Sequence, residues 1–139
     1  MIEFHFETPF EFKNNEAHIS WIQEVAASYG TTIEAINYIF CDDAYLLEIN
    51  QKFLNHDYLT DIITFPGDGE TGLMADIFIS VERVAENAAQ YNVTFEDELR
   101  RVLIHGVLHL LGFNDTTSED KQIMREKEDA AILMFHVKP

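Results

Sequence analysis

A chain of 139 residues with 25 acids against nine bases has a formal charge of −16, and such a field repels phosphate backbones, so composition alone argues against nucleic-acid binding. A hydrophobic content of 47%, with eleven Phe and five Tyr, excludes a disordered chain, and the single cysteine, Cys41, excludes a disulfide framework and a cysteine-based zinc site. Acids stand near the N-terminus where a signal peptide needs bases, and no run approaches the roughly 20 apolar residues of a membrane span, which predicts one cytoplasmic domain over residues 1–139 with no membrane partner.

Ile2, Phe4 and Phe6 alternate with Glu3 and His5, the period of a half-buried strand. From about Asn15 to Tyr29 the apolar residues Ile19, Ile22, Val25 and Ala26 share a helical face, and Gly30 stands where a C-cap belongs. Thr32 to Phe40 reads as a strand. Asp42 or Asp43 can cap a following helix whose apolar positions are Ala44, Leu47, Ile49 and Phe53, with Asn50 and Leu54 near its end. Leu59 to Gly67 is a short strand closed by Pro66-Gly67, and Leu73 to Val81 is another, so the polar loop between them predicts a hairpin. Glu82 to Tyr91 is a helix with Val84, Ala85, Ala88 and Ala89 inward. Thr94 and Asp97 have the spacing of a capping box, opening a helix that runs to Leu111 and stops at Gly112. A last helix follows Thr116-Thr117-Ser118, with Ile123, Met124, Ala130, Ile132 and Leu133 expected to be buried. The order β-α-β-α-β-β-α-α-α predicts an α+β domain, a small mixed four-stranded sheet packed with about five helices.

The residues that can do chemistry concentrate before Gly112. His105 and His109 are four apart on a helix, so both project from one face and can meet one metal ion at roughly 2.0–2.1 Å each. Their helix is apolar nearly all round, and imidazoles on such a helix need partners for their ring nitrogens. Gly112 can take a left-handed conformation and return Asn114 or Asp115 toward the pair. The glutamate that follows the first histidine in zinc peptidases is absent, since Gly106 stands there, which disfavours that chemistry. Gly106 itself marks either a close approach of backbone or substrate, or a helix-packing contact. His5, His18 and His136 are expected to be solvated, whereas His56 can border a cleft. Cys41 is expected to be a buried hydrophobe.

The segment His105-Gly106-Val107-Leu108-His109-Leu110-Leu111-Gly112-Phe113 resembles the signature of the YbeY family of metal-dependent endoribonucleases. Thr60-Asp61-Ile62-Ile63-Thr64-Phe65-Pro66 is similar to that family's Thr-Asp-Val-Leu-Ser-Phe-Pro segment, and Ala75-Asp76-Ile77-Phe78-Ile79-Ser80 to its Gly-Asp-Ile strand. The signature usually continues with Asp and a third His. Here those positions hold Asn114 and Asp115, so the resemblance implies a ligand set of His105, His109 and Asp115 holding one Zn²⁺, with iron or nickel also suited to these donors. A second departure lies upstream: after Asn50-Gln51-Lys52-Phe53 the family carries an arginine thought to face substrate, and this chain has Leu54, with His56 two residues on.

The resemblance implies a single-strand-specific endoribonuclease of 16S rRNA 3′-end maturation and ribosome quality control. Its partners would be single-stranded RNA and the small ribosomal subunit, not DNA. Thr60, Asp61 and Thr64 are the expected cleft wall, Arg101 or Lys52 the expected phosphate contact, and no residue is assigned as general base. Two alternatives stand beside it: a non-nucleolytic ribosome-assembly protein with a structural metal, and another metal-dependent hydrolase.

Overall fold

A computed structural model describes residues 1–137. Three parallel or antiparallel pairings build a mixed four-stranded sheet in the order β1-β2-β4-β3: β1 (Ile2–Phe6) runs parallel to β2 (Ile33–Cys41), β2 parallel to β4 (Leu73–Ser80), and β3 (Ile62–Pro66) antiparallel to β4. The β3–β4 pair is the hairpin expected from sequence. The helices are α1 (Asn15–Ser28), α2 (Asp43–Leu54), α3 (Val81–Tyr91), α4 (Phe95–Leu110) and α5 (Ser118–His136), so the α+β class and the element order both hold.

Strand alternation divides the sheet into two faces. On one, Ile36, Tyr38 and Phe40 of β2 with Ala75, Ile77 and Ile79 of β4 pack against Trp21, Ile22 and Val25 of α1 and Leu103, Ile104 and Val107 of α4. On the other, Ile63, Phe65 and Phe78 meet Leu46, Tyr45 and Ile49 of α2. Two buried polar groups of the large core find partners: the Tyr38 hydroxyl donates to the Leu103 carbonyl (2.9 Å) and Trp21 Nε1 to the Ala131 carbonyl (2.7 Å). Cys41 is buried as expected, and burial pushes its thiol up to about 12.

Several sequence expectations are corrected. In α2 the inward residues are Leu46 and Asn50, while Ala44 and Phe53 are exposed, because the sheet meets that helix along another stripe. In α3 Val84 and Ala88 are buried but Ala85 and Ala89 face solvent. In α5 the buried residues are Met124, Glu128 and Ala131, whereas Ile123, Ala130 and Leu133 are exposed. Thr94 accepts the Asp97 backbone N–H, but the Asp97 carboxylate turns to Arg100 and His136 instead of closing the box; the reciprocal capping box is at Thr117 and Asp120. His18 is not solvated: it is buried, and its Nδ1 donates to the Asn14 carbonyl (2.8 Å).

Gly106 lies where α4 crosses the sheet. A Cβ there would stand 3.0 Å from Ile77 Cδ1 and 3.2 Å from both Ile62 Cδ1 and Thr64 Oγ1. The glycine therefore sets how closely the helix approaches β3 and β4. Gly106→Val adds two further methyl groups to that contact and is expected to destabilise the protein by about 1–3 kcal/mol in urea denaturation. An unchanged midpoint would show the contact to be slack.

Candidate metal centre

Helix α4 ends in a Schellman motif that builds half of the site. Gly112 adopts φ +104°, its N–H bonds the His109 carbonyl (3.0 Å), and the Phe113 N–H bonds the Leu108 carbonyl (3.0 Å). This reversal does two things. It returns Asp115 over the last turn of α4, and it aims the Phe113 carbonyl at His109, whose Nδ1 lies 2.9 Å away. A carbonyl only accepts, so His109 Nδ1 carries the proton and Nε2 is left with a lone pair.

His105 is oriented from a different element. Its Nδ1 lies 2.6 Å from Glu128 Oε2 of α5, and the other carboxylate oxygen of Glu128 accepts from Arg101 Nη1 (2.9 Å). Here too the acceptor dictates a proton on Nδ1 and a lone pair on Nε2. The two Nε2 atoms stand 3.0 Å apart, and each is 3.3 Å from Asp115 Oδ2. Three electron-pair donors this close repel one another unless a cation lies among them. A tetrahedral ion with bonds of about 2.0–2.1 Å spaces its ligands by about 3.3 Å, so the donor set fits zinc without rearrangement. His105, His109 and Asp115 are also the one His/Cys/Asp/Glu group among the described residues with metal-binding spacing. Burial works against charging His105, but the Glu128 hydrogen bond and the nearby carboxylates of Asp115 and Asp61 outweigh it and raise the imidazole pKa.

The triad lies in a cleft of about 530 Å³ between the end of α2, strand β3 and the end of α4. Thr60, Asp61 and Thr64, expected from sequence as its wall, all line it, as do Leu54, His56 and Tyr58. Asp61 is held by Asn87 Nδ2 (3.3 Å), and burial raises its carboxyl above the usual range. Arg101 is not a cleft residue. Its guanidinium is committed to Glu128 and Asp129, and it lines an adjoining recess of about 240 Å³ that reaches the other side of His105. Lys52 also points elsewhere, over the Phe53 ring. Among the described residues, no Lys or Arg lines the cleft itself.

Two residues at the site escaped the sequence reading. Glu128 was not singled out there, yet it shares a stripe with Met124 and Ala131 at four- and three-residue spacing, a signal that was available. Tyr58, which lines the cleft, carried no sequence signal, because its place depends on where the chain after α2 is pinned.

Residues 4–136 match the family model described as endoribonuclease YbeY. A Flavobacterium psychrophilum protein named endoribonuclease YbeY is 50% identical over 138 residues, covering 99% of each chain. One of the same name from Christiangramia forsetii is 45% identical over 136 residues, 98% of this chain and 95% of that one. The solution structure of a Thermotoga maritima protein superposes with a TM-score of 0.67 at 29% identity, covering 97% of this chain and 89% of the other.

Proposed function

The chain belongs to the YbeY family and is therefore a metal-dependent endoribonuclease, and we propose that it cuts single-stranded ribosomal RNA using one zinc ion held by His105, His109 and Asp115. The observation that carries the ligand assignment is the pair of imidazole Nε2 atoms 3.0 Å apart, each with its Nδ1 proton already committed. A divalent ion in that place supplies Lewis-acid polarisation of a phosphodiester oxygen and lowers the pKa of water. The chain's own residues do the rest. Glu128 and the Phe113 carbonyl fix the rings, and Asp61 adds a buried carboxyl beside His105. Thr60 and Thr64 offer hydroxyls along the wall.

The centre lies in a cleft lined by the end of α2, β3 and the end of α4, into which a flexible strand can bend more readily than a stiff duplex. This geometry supports the single-strand preference. Two imidazoles and one carboxylate leave a fourth tetrahedral position open, which supports zinc over metals that demand six ligands. The acidic composition argued against nucleic acid, and family membership overturns that argument; a divalent cation held in the cleft would supply positive charge where, among the described residues, no Lys or Arg does. The same absence of Lys and Arg, with Leu54 where the family places arginine, favours the second reading, an assembly protein with a structural metal.

Zinc-loaded protein offered fluorescent single-stranded RNA, duplex RNA and single-stranded DNA separates the two. Cleavage of single-stranded RNA alone, lost on chelation and restored by Zn²⁺, is the expected result. Cutting that survives chelation defeats the proposal, and a melting temperature that collapses on chelation with no cutting at all establishes the structural metal instead.

A further inference from the structure

The segment after α2 is held unusually firmly for a loop. Asn55 takes a left-handed conformation (φ 55°), the His56 N–H bonds the Asn50 carbonyl (3.1 Å), and the buried Asn50 side chain donates to the Tyr58 carbonyl (2.9 Å). Gln51 adds a bond to the Asp57 carboxylate. The pinned backbone presents two rings at the cleft. Tyr58 and His56 stack with centroids 5.1 Å apart and planes 23° apart, and the Tyr58 hydroxyl is 3.0 Å from His56 Nδ1. The tyrosine is thus fixed in rotation, backed on one side, and still 57% exposed.

That exposure calls for an explanation. Tyr58 adds little to the core, yet the chain spends a buried asparagine on holding its backbone in the cleft that also contains His105, His109 and Asp115. Among the described residues no Lys or Arg lines the cleft, and the chain's formal charge is −16, so side-chain neutralisation of phosphates contributes little to affinity for RNA there. Stacking on a pre-ordered aromatic ring is the other large source of affinity for single strands, and it works for any base because every base has a π-face. It is closed to duplex RNA, whose bases are already stacked on their neighbours.

We propose that Tyr58, backed by His56, is the platform on which an unpaired nucleobase adjoining the scissile phosphate stacks. The proposal rests on the endoribonuclease reading and adds to it the group that binds substrate. It also gives a reason for a preference between strands that no residue of the triad can make.

The experiment uses zinc-loaded protein and a fluorescent single-stranded RNA whose cleavage position has been mapped. Tyr58→Ala is expected to raise KM roughly tenfold with kcat little changed, and Tyr58→Trp to restore it. Zinc affinity and melting temperature should match the wild type in both variants. An abasic nucleotide scanned through the substrate should cost the wild type a similar factor at one position beside the cleavage site, and cost Tyr58→Ala nothing more there. A wild-type KM in Tyr58→Ala, or an abasic penalty that persists in full on the variant, overturns the platform. Failure of the wild type to cut the unmodified RNA overturns the endoribonuclease reading itself, and the platform with it.

Discussion

His109→Ala is expected to lower kcat/KM on single-stranded RNA by at least about a hundredfold, with zinc affinity falling in parallel. The estimate is a floor: loss of an outer partner of a ligand already costs about 10–100-fold in affinity or activity, and this variant removes the ligand. Asp115→Ala should do the same, because it leaves two imidazoles to hold an ion whose third donor now stands 3.3 Å from each of them. Asp115→His is the informative companion. It installs the residue that the family signature usually carries there, removes one negative charge from the ligand set, and should retain cleavage while making the coordinated water more acidic. Its rate should therefore begin to rise at lower pH than that of the wild type. Wild-type cutting by both alanine variants would remove the triad from the mechanism, and an inactive Asp115→His with normal zinc content would show that this site is tuned to a carboxylate.

The cluster of His105, His109 and Asp115 was legible because each residue's placement depends on local rules. A four-residue histidine spacing places two rings on one helical face whatever surrounds it, and a glycine after the last apolar residue reverses the chain whatever follows. Element order was legible for the same reason, from strand alternation, caps and turns. The phase of α1 was legible too, but that of α2, α3 and α5 was not, and α5 shows why. Ile123, Ile132 and Leu133 drew the expected stripe toward themselves, and of the residues expected to be inward Met124 is, but α5 also turns Glu128 and Ala131 inward while Ile123 and Leu133 are exposed. A carboxylate reads as solvent-facing unless its partners are known, and those of Glu128 lie 23 and 27 residues upstream in α4. Arg101, offered as a phosphate contact because the family arginine is missing, is placed by tertiary pairing that sequence does not show: its guanidinium meets Glu128 and Asp129 and does not line the cleft.

Those partners make Glu128 the position outside the triad with the largest expected effect. Its buried carboxylate takes the Arg101 guanidinium on one oxygen and the His105 imidazole on the other, so Glu128→Ala strands two groups at once. Arg101 keeps Asp129, which limits the stability loss to about 3 kcal/mol, the low end for breaking a buried pair. Glu128→Gln is gentler on packing and isolates the electrostatic part: the amide oxygen can still accept from His105 Nδ1, but the charge that makes the His105 Nε2 basic is gone, and zinc affinity should drop about 10–100-fold. The sign of the pH dependence follows from the raised His105 pKa in the metal-free protein. A cation stabilised by the fold contributes fully below the ordinary imidazole value of 6.5 and ceases to contribute as pH rises through the raised one. The stability gap between chelated wild type and chelated Glu128→Gln should therefore be widest near pH 6 and narrow toward alkaline pH, in urea denaturation at matched ionic strength. A gap that widens with pH would mean that Glu128 serves Arg101 alone, and that His105 is held in place by the packing of α4 without it.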